Sequence, residues 1–111
     1  MSANYIRKEL LNTTAAASIS SAPIALDGCK VGTVQLIVGA GPVGSIQHQV
    51  TNVADPASGD WINKGSAIAV SGAQNTAVEF DQKELAYSKF RTVYTRTSGS
   101  GSLVVIANLK S

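Results

Sequence analysis

Charged and aromatic side chains are both scarce in this sequence. Charged residues make up 14% of the chain and aromatics 5%, whereas roughly a quarter of an ordinary soluble domain is charged. A core short of rings must be built from Val, Ile, Leu and Ala, and such a core is thin. Burial against another subunit or a larger partner is a natural way to add to it. Few charges, with much Ser, Thr, Asn, Gln and Gly, make a neutral polar surface suited to packing against protein. A net charge of +2 spread over scattered Lys and Arg does not suit a nucleic-acid binder. The largest basic cluster is Arg7-Lys8.

Cysteine is nearly absent as well. Cys29 stands alone, so no disulfide can form within the chain and a stapled secreted scaffold is excluded. Between Gly28 and Lys30 it reads as a small, partly buried residue at a strand entry. A reactive thiol would want a His or a helix N-terminus beside it. The one histidine, His48, lies between Gln47 and Gln49 with no second ligand at metal-binding spacing. It reads as structural, and neither a metal nor a cofactor is expected. Long hydrophobic runs are missing too. The uncharged stretch from Leu10 to Ala25 follows Arg7-Lys8 but contains Asn12, Thr13, Thr14, Ser18, Ser20 and Ser21. That is too polar for a signal peptide and too polar and short to cross a bilayer. The expectation is synthesis in the cytoplasm, no export signal of its own and no membrane partner.

What is present is β texture. The 111 residues suit one domain, and a domain of this size buries roughly two-thirds of its unfolded surface. Val31 to Val38 alternates, with Val34, Leu36 and Val38 on one face and Thr33, Gln35 and Ile37 on the other. Ser45 to Val53 alternates again, placing Ile46, His48 and Val50 together. Shorter runs follow: Ile24 to Leu26 (stopped by Asp27-Gly28), Trp61-Ile62, Ser66 to Val70 and Thr76 to Phe80, with a turn at Lys64-Gly65. Asp81 to Tyr87 reads as a loop or a single helical turn. Ser88 to Thr97 puts Phe90, Thr92 and Tyr94 on one face. After Ser98-Gly99-Ser100-Gly101, Ser102 to Leu109 returns, with Leu103, Val105, Ala107 and Leu109 on one side and Val104 and Ile106 on the other. The last two runs predict a hairpin, and the final run a central strand covered on both faces near its middle. The fold class expected is all-β: a jelly-roll-like antiparallel β-sandwich of about eight short strands with an N-terminal arm. Residues 1–12 form the arm and residues 13–111 the β-sandwich domain. Tyr5, Ile6, Leu10 and Leu11 give the arm an apolar side, helical or extended, for docking on a neighbouring subunit or partner.

No pattern of catalytic chemistry emerges, and the chain is not expected to be an enzyme. Gly39-Ala-Gly41-Pro-Val-Gly44 matches G-x-G-x-x-G by letter. A dinucleotide fingerprint must open a helix, and here Pro42 sits inside the motif and alternating β sequence follows. Asp55 and Asp60 flank a turn with Pro56 and Gly59, where Asp favours local backbone hydrogen bonds; a calcium loop is the alternative. Phe90, Arg91, Tyr94 and Arg96 superficially suit single strands of nucleic acid. On a strand, however, the rings and Arg91 face opposite ways. Trp61, the single Trp, packs at the core or, exposed, could stack on a sugar.

One stretch carries a resemblance. The residues Tyr87-Ser-Lys-Phe90-Arg91-Thr-Val-Tyr94-Thr-Arg-Thr-Ser98-Gly99-Ser-Gly101-Ser-Leu103, an aromatic-rich strand running into a T-S-G-x-G turn and an apolar strand, resemble a pattern of small virion proteins of tailed bacteriophages. Gly32-Thr-Val34-Gln-Leu36 and Asp60-Trp61 fit it more loosely. Over residues 31–110 the chain resembles the capsid decoration (cement or staple) proteins of short-tailed double-stranded DNA phages. That resemblance implies a homodimer or homotrimer on the outer capsid surface of the virion. It would bind the major capsid protein and clamp neighbouring subunits against internal pressure, many copies adding strength by multivalency. Related sandwiches in phage tails imply two other readings: a carbohydrate- or receptor-binding module using Trp61, or a head/tail adaptor forming a ring.

Overall fold

The computed structural model describes residues 5–26 and 29–110, the side chains of Tyr5 and Ile6 excepted. Asp27-Gly28, expected to stop a strand, lie outside the described residues. Nine strands form among the described residues: β1 (Tyr5–Thr13), β2 (Ile19–Ser20), β3 (Ile24–Ala25), β4 (Val31–Val38), β5 (Val43–Thr51), β6 (Ile62–Ser71), β7 (Gln74–Phe80), β8 (Lys89–Ser98) and β9 (Leu103–Lys110). One sheet has the order β1-β9-β4-β7 and the other β2-β8-β5-β6, with β3 also against β8. Every pair is antiparallel.

The pairing is nested. The first strand meets the last, β2 and β3 meet β8, β4 meets β7, and β5 meets β6. A folded ribbon rolled in this way is a jelly roll. Pro23, which cannot donate to a ladder, separates β2 from β3, two short halves of one edge.

Period-2 patterning makes the core. Val34, Leu36 and Val38 of β4 and Leu103, Val105, Ala107 and Leu109 of β9 are buried in one sheet. Ile46 and Val50 of β5 and Phe90 and Tyr94 of β8 answer them from the other. His48 sits among them, its ring 5.5 Å from Phe90 and 5.6 Å from Phe80. The Tyr94 hydroxyl donates to the Val43 carbonyl at 3.2 Å, so the largest buried polar group is satisfied.

Three expectations are corrected. The last two runs are not a hairpin: β8 and β9 lie in different sheets, β8 beside β5 and β9 between β1 and β4. The linker Gly99–Ser102 is an arch that carries the chain across the sandwich. The inward faces of β8 and β9 then oppose each other through the core. Their pairing side by side would have put Phe90 and Tyr94 in the same layer as Leu103 and Val105.

The turn expected at Lys64-Gly65 is an irregularity inside one long strand. The β5–β6 register shifts between Ile46↔Ile68 and His48↔Lys64. The Gln47 side-chain amide fills the gap, donating to the carbonyls of His48 and Gly65 at 3.0 and 3.1 Å.

The arm is the third. Residues 5–13 are β1, paired along β9, so the boundary expected after residue 12 falls inside a sheet strand. Leu10 and Leu11 are core residues at 9% and 4% exposure. The register slips between Glu9 and Leu11, a bulge that turns two adjacent leucines inward where strict alternation would expose one.

Candidate interaction surface

The outer face of the β1-β9-β4-β7 sheet is assembled from strands far apart in sequence. Cross-strand register sets Glu9 beside Ile106, Ile106 beside Gln35, and Gln35 beside Ala77. The next row runs Asn12, Val104, Ile37, Asn75 by the same pairings. Val104 and Ile106 are half-buried and Ile37 is 37% exposed, so the middle of this face is uncharged and carries an apolar patch, with Gln35 beside it. Arg7, Glu9 and Glu79 stand on its rim. The Gln35 side-chain amide donates to Asn75 Oδ1 at 2.8 Å and ties β4 to β7 across it. β9 is central as expected, but among the described residues no layer covers its outer side. The run Leu103 to Ala107 carried the signal; whether anything lay over it did not show until β9 took its place between β1 and β4.

A groove of about 530 Å³ lies at one end of this sheet, lined in part by Val31, Thr33, Glu79, Glu84 and Asn108. Val31 is 50% exposed. Asn108 Oδ1 is buried there without a hydrogen-bond partner.

The outer face of the other sheet is polar. Arg91 Nε donates to Gln49 Oε1 at 2.8 Å, and Gln49 Nε2 donates to Asn63 Oδ1 at 2.9 Å, a ladder across β8, β5 and β6. The Arg91 guanidinium lies 4.5 Å from the centre of the Trp61 ring. Trp61 is half-buried, and this cation covers one face of it. Ile62, next in the chain, is 52% exposed on the sheet edge.

The remaining sequence candidates fall into structural roles. His48 is buried, its Nδ1 2.8 Å from Thr92 Oγ1, and burial holds its pKa down at about 4. It is neutral at pH 7. Cys29 is buried in the core cluster. Asp60 Oδ2 accepts the Ala57 N–H at 2.8 Å, closing the turn Ser58–Asp60. Asp81 and Glu84 cap each other's backbone N–H at 3.0 Å. Gly39 to Pro42 forms the β4–β5 arch and opens a strand rather than a helix. Among the described residues no three His, Cys, Asp or Glu side chains come together as a metal site. Of the four residues expected to dock, Leu10 and Leu11 are enclosed in the core, and the side chains of Tyr5 and Ile6 lie outside the described residues.

No family model matches the chain, and no curated protein is detectably similar in sequence. Among solved structures, the SPBc2 prophage-derived protein YomS is similar with a TM-score of 0.71 at 12% identity, over 100% of this chain and 96% of that one. The two share a fold. The structure of infectious bursal disease virus strain Gx overlaps 97% of this chain and 36% of that chain at 9% identity, with a TM-score of 0.40, too low to carry an argument.

Proposed function

We propose that the chain is a structural protein of a tailed-phage virion that binds the outside of an icosahedral capsid and clamps neighbouring major capsid subunits together. The observation that carries this reading is the outer face around Val104, Ile106 and Ile37: an uncharged centre with an apolar patch, and charges at its rim. It has the anatomy of a protein-binding patch. Its position on the open face of a sheet suits a broad contact with another protein better than enclosure of a small ligand. The prophage origin of YomS, which shares the fold over nearly its whole length, agrees with a phage source. The low charge content allows many copies to sit close together without repulsion.

Clamping is non-covalent. Each copy contributes a modest contact, and a regular lattice of copies multiplies it. The test is co-sedimentation of the purified protein with shells lacking it, alongside Ile106→Lys and Ile37→Lys. Saturable binding at a fixed ratio to shell subunits, lost in the lysine variants while both stay folded, supports the reading. Absence of binding to shells overturns it and moves the search to tails and glycans.

A further inference from the structure

We propose that two copies of this chain pair edge to edge through β7, so that the β1-β9-β4-β7 sheet of one continues antiparallel into that of the other, with Ala77 on the two-fold axis. A sheet edge is a row of unpaired N–H and C=O groups, and proteins that must stay apart guard such edges with charges, bulges, prolines or very short strands. The edges of this sandwich differ in that respect. β1 carries Arg7, Lys8 and Glu9 and a register slip at Leu10. β2 and β3 are two residues each with Pro23 between them. β6 is broken in register opposite Gln47, beside Lys64. β7 has the fewest of these devices, with no bulge, no proline and a single charge. It pairs with β4 from Gln74 to Phe80 with no slip, and it is uncharged except for Glu79. Asn75, Thr76 and Ala77 are exposed.

Charge complementarity selects the occupant. On β1, a two-fold axis at Arg7 or Glu9 sets that charge against its own copy, which is unfavourable for directly opposed strand residues; an axis at Lys8 pairs Arg7 with Glu9 but opposes the two Lys8 side chains and runs at once into the register slip at Leu10. On β7, an axis at Ala77 sets Thr76 against the second copy's Val78 and uses the whole strand. It also sets Asn75 against the second copy's Glu79. Asn75 Oδ1 already accepts from Gln35, so its N–H₂ group is left to donate to that carboxylate. The pair forms twice by symmetry, and β7 is self-complementary as an isologous interface requires. The joined sheets would also align two apolar outer faces side by side.

A strand edge buries less than the roughly 1,200–2,000 Å² of a standard stable interface. Association is therefore expected to depend on concentration. Sedimentation equilibrium of the full chain over a wide concentration range should show a monomer–dimer equilibrium. Ala77→Lys, an exposed position, should raise the dissociation constant at least tenfold without loss of fold, because two lysines then oppose each other. Ala77→Cys should give, on mild oxidation, a covalent dimer whose bond maps to 77–77, since Cα atoms directly opposed across antiparallel strands are about 4.5–5.5 Å apart, within disulfide range. A chain monomeric throughout, a trimer or ring, or a dimer that ignores Ala77→Lys and forms no 77–77 bond overturns the pairing. The inference is independent of shell binding. A monomer that still coats shells refutes only the β7 pairing, and a dimer that coats none supports the pairing while refuting the shell reading.

Discussion

Gly41 and Gly99 lie against each other where the two arches of the sandwich cross. A Cβ at Gly99 would run into the carbonyl oxygen of Gly41, and one at Gly41 into the carbonyl oxygen of Ser100. Both glycines have positive φ, +117° and +71° respectively. The β4–β5 and β8–β9 arches are therefore nested backbone against backbone, and this contact fixes how the two sheets meet at that end.

Gly99→Ala should cost about 3 kcal/mol, from the left-handed backbone and the forced separation of the arches together. Gly72 supplies the control. Its φ is +90°, but nothing lies within 4 Å of the Cβ it would gain. Gly72→Ala should therefore cost only about 1 kcal/mol. Urea unfolding of both variants separates the contributions; equal losses would mean that the nesting of the arches adds nothing.

Removing residues 1–12 should unfold the protein or leave it far less stable, because it strips one of the two partners of β9 and takes Leu10 and Leu11 out of the core. A detachable docking arm would leave the sandwich intact. Leu11→Ala alone should cost about 3 kcal/mol as a buried leucine truncated in a packed core. Near-ultraviolet circular dichroism and denaturant melts of the two variants decide the matter. A truncated chain with native stability would restore the arm.

Most of the strands could be read from the sequence, and their connections could not. Alternation in Val31 to Val38 gave both the element and its buried face, because a strand with one side in the core has to alternate. The same letters, Ser98 to Ser102, serve a hairpin or an arch, and periodicity says which face is inward without saying which sheet it belongs to. Leu10-Leu11 escaped for a different reason. A bulge breaks the period there, and the apolar side given by Tyr5, Ile6, Leu10 and Leu11 suits a docking arm as well as a sheet strand. The interaction face was hidden more deeply: Ile37 and Ile106 become neighbours of one surface only when β9 inserts between β1 and β4.

His48 should make stability depend on pH. Its folded pKa of about 4 lies below the ordinary 6.5, so between those values the unfolded chain binds the proton and the folded chain does not. Stability is therefore full above about pH 6.5 and falls as pH drops toward 4, by roughly 3 kcal/mol in all. There is one histidine in the chain, so the slope in this window can be assigned. Melts at pH 7.5, 5.5 and 4.5 should show the fall, and His48→Leu should flatten it. A variant that keeps the full slope would place its origin in other groups.

Trp61 reports on the polar face by itself, since the chain has one Trp. The guanidinium of Arg91 over its ring is an exposed cation–π contact, worth about 0.5–1 kcal/mol. Arg91→Ala removes that cation and also the donor to Gln49 Oε1. The stability loss should therefore stay near 1 kcal/mol, while the Trp61 emission changes in intensity and in accessibility to a neutral quencher. Arg91→Lys keeps the charge but not the planar fork, so it should recover only part of the wild-type spectrum. Wild-type protein titrated with host polysaccharide should leave the emission unchanged, because Arg91 already covers one face of this half-buried ring. A saturable change, abolished in Trp61→Ala, would mean that the cation yields to a sugar and would revive the glycan-binding module as this fold's role.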